Sequence, residues 1–440
     1  MNDQRASIAP TRLAQDVELL GPYRDSGLEN PPFLIRRGGT VLQVSKLLIV
    51  VAAAAHGRSD FDEIAAAASA QLERRLTADE VRYLIETKLA PAGIVTLEGE
   101  AVGRPAPEPA ADKRVLALRF RRTVVPPESV NDVAGVLSVL FRPPLVAMIL
   151  AAVVAFDAWL FGVHGVRGAL EQVIRQPGLL AFLFVLGWLA CAFHEFGHAA
   201  ACRYSGARPG AVGAGVYLIW PVLYTNVTDA YRLDRKGRLR VDLGGIYFNC
   251  VFVLLVTGAY AATGYEPLVA AVVAQHFLIL DQLMPWLRFD GYYIVSDLTG
   301  VPDILDRVRP ALRSLIPGQP QPREIRALRP SARRLLFAYL ASTIMFVAIS
   351  AAVLVVQGPG LFAAGWDSLP THLEALQRAI GMWDLPMGVV VVFQIGTLVA
   401  PIVGIGLWLG FLALRLTNHR SRHACAAVEG AIRTAGLRSG

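Results

Sequence analysis

The chain has 440 residues, of which 54% are hydrophobic and 18% are charged, and its mean hydropathy is +0.46. Soluble domains carry roughly 25% charged residues, so this composition excludes an ordinary cytosolic enzyme as the whole molecule. Residues 1–142 hold 18 basic and 18 acidic residues, whereas residues 143–440 hold 24 basic and 17 acidic ones, and with them the whole net charge of +7. The sequence therefore predicts a soluble N-terminal domain joined to a membrane body.

The first hundred residues predict a flexible terminus followed by a small α+β domain. Residues 1–30 are polar and lack an apolar core, which predicts a flexible N-terminus without a cleavable signal peptide. Within residues 31–100, two short strands around Gly38-Gly39 precede three helices and a returning strand, which is a winged-helix order. Thr77-Ala-Asp-Glu80 fits a capping box at the start of the third helix.

Residues 101–142 are predicted to connect the two halves. The stretch 101–113 contains three prolines among alanines and charges, as linkers do. Residues 116–125 form a possible further strand, and residues 126–141 have the pattern of an amphipathic connector.

Six apolar windows long enough to cross a bilayer follow within residues 143–414. They lie at about 145–163, 178–204, 243–262, 267–286, 335–357 and 386–414. With a cytosolic N-terminus, the cytosolic segments after residue 143 contain 21 Lys and Arg and the outer segments contain three. This asymmetry predicts six spans, a basic cytosolic tail at 415–440 and both termini in the cytosol. Basic charge that served nucleic-acid binding would not alternate with topology, so no nucleic-acid partner is expected.

The sequence His194-Glu195-Phe196-Gly197-His198 lies inside the second predicted span. Residues four apart share one face of a helix, so both imidazoles can ligate one metal ion while Glu195 reaches its bound water. Ionisable groups within a membrane helix are costly and therefore indicate function. The motif predicts a zinc site with Glu195 as the catalytic residue.

A hydrolytic zinc site needs a third protein ligand, and Asp290 is the best candidate. It follows the fourth predicted span, whose direction delivers it to the same side of the membrane as the two histidines. Gly291 beside it lets the backbone approach closely. Asp281 and His276, within the fourth span, remain alternatives, and Asp157 in the first span is a weaker one.

These residues resemble the site-2 protease family of intramembrane zinc metalloproteases, most closely its peptide zinc metalloprotease branch from ribosomal peptide pathways, including the daptide type. The matching segments are the HEFGH helix, Gly213–Pro221, Tyr224–Asp229, Gly244–Asn249 and Pro285 with Asp290-Gly291. The resemblance implies a site-2-protease-like helical core, zinc on His194, His198 and Asp290, and Glu195 as general base and acid. It also implies substrate contacts by Asn249, Gly213, Tyr217 and Asn226. One departure is Met284, which stands where the family often has Asn before Pro285, and this leaves the support of Asp290 open.

The domain at 31–100 resembles PqqD-type leader-recognition elements, which bind a precursor's leader peptide as an added strand. A purely structural role or DNA binding are the alternatives for three helices with a wing, although balanced charge argues against a DNA surface. The glycine-rich stretch 206–224 alternates like a strand, so it either offers a substrate peptide an edge or only packs beside the site.

The sequence thus predicts a polytopic α-helical membrane protein with a winged-helix-like N-terminal domain. The leading hypothesis for its function is an intramembrane zinc endopeptidase in the cell membrane that removes the leader of a peptide precursor. A regulated protease acting on a membrane-anchored signalling protein is one alternative. A catalytically silent peptide-binding or export factor is another. The sequence leaves the oligomeric state open.

Overall fold

The structure is a computed structural model that describes residues 12–14, 16–37, 40–58, 60–96, 119–176, 178–217, 220–383, 387–396 and 399. The predicted basic tail, the linker 101–113 and the Gly38-Gly39 turn lie outside the described residues. The chain divides into two compact units. One comprises Met1–Gln172, Leu183–Tyr217 and Pro221–Ala351, and the other Val173–Phe182, Leu218–Trp220 and Ala352–Gly440.

Five short strands form the sheets of the N-terminal domain. They are β1 (Arg12–Leu13), β2 (Val17–Pro22), β3 (Phe33–Arg37), β4 (Thr40–Val44) and β5 (Val95–Thr96). Strands β2, β3 and β4 form an antiparallel sheet in that order, so the predicted hairpin is present with one strand added. The returning strand β5 pairs with β1 at the start of the chain.

Three helices cover this domain at the predicted places. They are α1 (Lys46–Ala55), α2 (Phe61–Gln71) and α3 (Ala78–Leu84), the last extended by a π-helical turn to Leu89. The capping box is confirmed: the Thr77 hydroxyl accepts from the Glu80 amide, and the Glu80 carboxylate accepts from the Thr77 amide. Apolar residues from all three helices pack with β3 and β5 in one hydrophobic core.

The flexible N-terminus predicted for residues 1–30 is corrected from residue 12 onward. Residues 12–22 supply β1 and β2, and the chain between Tyr23 and Glu29 contacts residues 300 and 327–329 of the same unit. The Gly27 amide donates to the Gly300 carbonyl at 2.8 Å, and Leu28 forms a β-bridge with Leu328. Its polar composition indicated flexibility, but its backbone groups find partners about 300 residues away, which no local pattern reveals.

The further strand predicted within residues 116–125 is present and belongs to a third sheet. Strand β6 (Arg119–Val125) pairs antiparallel with β7 (Val212–Tyr217), and β8 (Trp220–Thr225) lies on the other side of β7. The glycine-rich strand β7 is therefore central, and β8 is the edge strand beside it. The amphipathic connector is helix α4 (Pro127–Leu137), followed by a short 3₁₀ turn.

The remaining helices form the body of the protein. They are α5 (Pro143–Trp159), α6 (Arg167–Arg175), α7 (Gly178–Tyr204), α8 (Arg235–Asp242), α9 (Gly244–Thr263), α10 (Pro267–Gln282), α11 (Asp290–Thr299), α12 (Val308–Ser314), α13 (Arg323–Arg326) and α14 (Pro330–Gly381).

Among the described residues, four helical stretches are long and apolar enough to cross a membrane: Pro143–His164, Leu179–Tyr204, Gly244–Thr263 and Pro330–Ala352. They coincide with four of the six predicted spans. The window at 267–286 holds only the 16-residue helix α10, which is shorter than a usual span. In the window at 386–414 the described part is the short apolar helix Met387–Gly396, and most of the rest lies outside the described residues.

Candidate metal centre

Helix α7 presents His194 and His198 on one face, as the four-residue spacing predicts. Their Nε2 atoms lie 3.1 Å apart, and both side chains are largely buried. The His198 Nδ1 atom lies 2.7 Å from the Val241 carbonyl of α8. Because a carbonyl can only accept, Nδ1 carries the proton and donates it, which leaves the Nε2 lone pair available to a metal.

Asp290, the first residue of α11, completes the group. Its Oδ2 lies 3.3 Å from His194 Nε2, and its Oδ1 lies 3.3 Å from His198 Nε2. These separations match the roughly 3.3 Å between ligand atoms that each lie about 2.0–2.1 Å from a tetrahedral zinc ion. Among the described residues, this is the group of His, Cys, Asp and Glu side chains that could hold a metal ion.

The Asp290 carboxylate is buried, and its neighbours favour its ionised form. Burial alone raises the pKa of this carboxyl, but His198 and His194 act more strongly together and lower it below its ordinary value. Asp290 Oδ2 has no hydrogen-bond partner among the described residues. A buried carboxylate oxygen without a donor is costly, and a metal ion at this point would satisfy it.

Glu195 lies beside the metal-ligand group with its carboxylate fixed by β8. The Thr225 hydroxyl lies 2.8 Å from Glu195 Oε2 and 2.9 Å from the carbonyl oxygen of the same residue. Thr225 thereby holds one carboxylate oxygen by donating to it. The sequence did not single out Thr225, because the contact joins a strand and a helix 30 residues apart.

Gly245 at the start of α9 faces both imidazoles. A Cβ atom there would lie 2.4 Å from His194 Nε2 and 2.5 Å from His198 Nε2, closer than any side chain can come. Any larger residue would clash with both ligand atoms. The glycine pair was part of the family resemblance, but nothing in the sequence marked Gly245 as the residue facing the metal ligands.

Close helix packing brings these groups together. A Cβ at Gly197 of α7 would lie 2.4 Å from the Gly244 carbonyl, and a Cβ at Gly244 would lie 2.6 Å from the Gly197 carbonyl. The two backbones therefore cross in direct contact. At Gly291 a Cβ would lie 2.2 Å from the Leu283 carbonyl, so the predicted close approach beside Asp290 is present.

A cavity of about 580 Å³ opens onto the metal-ligand group. Residues 222–228, which include the end of β8, form part of its wall, and Tyr23 and Arg238 form another part. Asp242 of α8 also lines it, and burial, reinforced by the neighbouring Asp297 carboxylate, raises the pKa of Asp242 well above its ordinary value. The cavity is large enough for a peptide segment of a few residues.

Of the four predicted substrate-binding residues, two line this cavity. Asn249 is buried and lines it. Asn226 also lines it, but its Oδ1 accepts from the amide and hydroxyl of Thr228. Gly213 packs in the sheet against Tyr224 and is not among the described lining residues, and the side chain of Tyr217 lies outside the described residues.

The alternative ligands lie apart from the metal-ligand group. His276 Nε2 lies 3.1 Å from Asp157 Oδ2, and His276 Nδ1 donates to the Val272 carbonyl, so this pair bridges α5 and α10. Asp281 does not join the group either. Met284 offers no hydrogen-bond donor through its side chain, which agrees with the unpartnered Asp290 oxygen.

Comparison with family models, with curated proteins and with solved structures found no match to this chain. The fold and the candidate site therefore define only a broad class. This is a mainly helical protein with membrane-spanning candidate helices and a buried His-His-Asp group that could hold a metal ion.

Proposed function

We propose that this chain is an intramembrane zinc endopeptidase of the site-2 protease type that cleaves a peptide precursor. The observation that carries the proposal is the convergence of His194, His198 and Asp290 beside a fixed glutamate at the wall of a cavity. Two imidazoles and one carboxylate are a usual protein ligand set for catalytic zinc. Zinc bound there would supply Lewis acidity and an acidified water.

The chain's own residues account for the proton transfers of peptide hydrolysis. Glu195 takes a proton from the attacking water through the carboxylate that Thr225 holds in place. The same carboxyl then donates that proton to the departing amine. Val241 keeps His198 in the tautomer that leaves its Nε2 free.

The strand edge beside the cavity supports a peptide as the substrate. The edge strand β8 borders the cavity, and an extended peptide could pair along it while its carbonyl approaches Glu195. The N-terminal domain, whose sequence resembles PqqD-type elements, is proposed to anchor the precursor's leader. The charge asymmetry of the loops supports a cell-membrane protein with both termini in the cytosol.

The test is hydrolysis of a peptide library by the purified, zinc-loaded protein in detergent, read by mass spectrometry. Glu195→Gln is expected to lower the rate at least about 100-fold, because a general base contributes about 10²–10⁴-fold. Glu171→Gln, at an exposed ion pair on α6, is the matched control and should cleave like the wild type. Undiminished cleavage by Glu195→Gln would contradict the proposal. A wild-type protein that binds peptides and zinc without cleaving them would favour a silent binding factor.

A further inference from the structure

We propose that Tyr23, Arg238 and Asp297 form a positioning cluster that holds Asp290 relative to His198 and thereby sets the metal affinity of the centre. Through Tyr23, the N-terminal domain would contribute directly to that affinity. The inference deepens the proposed function, since it rests on the same metal site, but it does not require peptide hydrolysis.

Two side chains of the positioning cluster donate to one carboxylate oxygen of its third member, Asp297. The Tyr23 hydroxyl donates to Asp297 Oδ1 at 2.9 Å, and Arg238 Nε donates to the same oxygen at 2.7 Å. The Arg238 guanidinium also lies over the Tyr23 ring, 4.4 Å from its centroid. Tyr23 and Arg238 are each only 2% exposed. Charge-assisted hydrogen bonds in such a buried place are strong and confine their partners to one geometry.

The ion pair joins α8, whose Val241 carbonyl accepts from His198, to α11, which begins with Asp290. Arg238 lies on α8 one turn before Val241, the residue whose carbonyl accepts from His198. Asp297 lies on α11 seven residues after Asp290, hence on the same helical face. The Arg238–Asp297 contact therefore fixes α8 to α11, and with them the support of His198 and the position of Asp290.

Tyr23 connects this contact to the N-terminal domain. It follows directly after β2, which pairs with β3 along the domain's sheet. Its neighbour Arg24 offers a backbone carbonyl to Arg238 Nη1 at 3.3 Å. A shift of the sheet relative to α8 would move the Tyr23 hydroxyl away from Asp297. The position of the sheet would therefore affect the geometry of the metal centre.

The surroundings of the cluster argue for more than a packing role. Networks that serve stability alone satisfy nearly all of their buried polar groups. Here Arg238 Nη2 and Asp242 Oδ2 are buried without hydrogen-bond partners among the described residues. Both residues, together with Tyr23 and Asp297, line the cavity that opens onto the metal ligands. The cluster thus borders the cavity of the candidate metal centre, and its Arg238 Nη2 has no partner among the described residues.

The experiment is a Co²⁺ titration of the full-length, chelator-stripped protein in detergent, because the visible bands of Co²⁺ report its ligand geometry. Asp297→Asn is expected to weaken Co²⁺ binding about 10-fold and to shift the bands, as loss of outer hydrogen bonds does at metal sites. Tyr23→Phe should shift the bands in the same direction with a smaller loss of affinity. Glu18→Gln is the matched control, since Glu18 lies on the preceding strand β2 and pairs with Arg232, which precedes α8.

The possible results separate the inference from the function on which it rests. Wild-type affinity and spectrum in both Asp297→Asn and Tyr23→Phe would overturn the positioning role while leaving the metal site intact. Equal losses in Glu18→Gln would show general anchoring of the domain and would also overturn it. A wild-type protein that binds neither Co²⁺ nor zinc would refute the metal site and the inference together. If Asp297→Asn does not fold, the spectrum of Tyr23→Phe decides.

Discussion

Gly245 limits what can occupy the space between the two imidazoles. Its missing side chain leaves open the space beside His194 Nε2 and His198 Nε2, a gap that a single methyl group would fill. Local helix geometry cannot supply such a gap, since it is formed where α9 crosses α7. The metal-binding capacity of the histidine pair thus depends on a residue that carries no ligand atom.

Gly245→Ala is therefore expected to weaken zinc binding at least about 10-fold, because the imidazoles must rotate away from the added methyl group. Metal content after dialysis against a zinc buffer measures this. Gly258→Ala on the same helix is the control, since a Cβ there meets no atom within 4 Å. Equal zinc retention by both variants would show that the histidines tolerate the methyl group.

Thr225 separates the catalytic role of Glu195 from metal binding. Thr225→Val keeps the shape of the side chain and removes the donor to the Glu195 carboxylate. A hydrogen bond to a charged group contributes about 1.5–3 kcal/mol, so peptide hydrolysis should fall about 10–100-fold while zinc content stays constant. Thr257→Val, whose hydroxyl donates within α9 to the Val253 carbonyl, is the control. Loss of zinc from Thr225→Val would instead assign this threonine to the metal site.

Some residues of the candidate site could be predicted from the sequence and others could not. His194, Glu195 and His198 could be predicted because their arrangement depends only on the pitch of one helix. Asp290 required the directions of two predicted spans, and the structure places it in the group. Thr225 and Gly245 could not be predicted, because their roles arise from contacts between elements.

At the scale of the elements, helix boundaries were predicted well where side chains cap the backbone. The start of α3 is set by the reciprocal bonds of Thr77 and Glu80, and acceptance of the Thr77 amide lowers the pKa of Glu80. Strand pairing was predicted less well. The returning strand β5 pairs with β1, because strand partners depend on tertiary contacts that alternation along one strand does not specify.

Thr77→Ala tests the contribution of this cap. Because the Glu80 amide loses its acceptor, α3 should lose about 1 kcal/mol of local stability. Hydrogen exchange of the full-length protein, measured on a peptide spanning 77–89, should show faster exchange in the first turn. Ser45→Ala, at the start of α1, should affect only its own helix. Unchanged exchange at Glu80 in Thr77→Ala would show that packing alone holds this turn.

For the whole molecule, the charge distribution predicts which loops face the cytosol. In a cysteine-free variant, a single cysteine replacing the exposed Arg167 should react with an impermeant maleimide in intact cells. A cysteine replacing the exposed Arg313 should react only after lysis. This expectation follows from the excess of arginines in the segment that contains Arg313. The reverse labelling pattern would contradict the proposed topology.

The bridge between Leu28 and Leu328 has a consequence for the order of events during synthesis. The residues from Tyr23 to Glu29 leave the ribosome well before their partners, which are made about 300 residues later. At about 5–20 residues per second, that delay is roughly 15–60 s. During this interval the emerging chain exposes Leu28 and Tyr23, while the helices between them and residue 328 have yet to be made and inserted. This segment thus reaches its place only after about 300 further residues have been made.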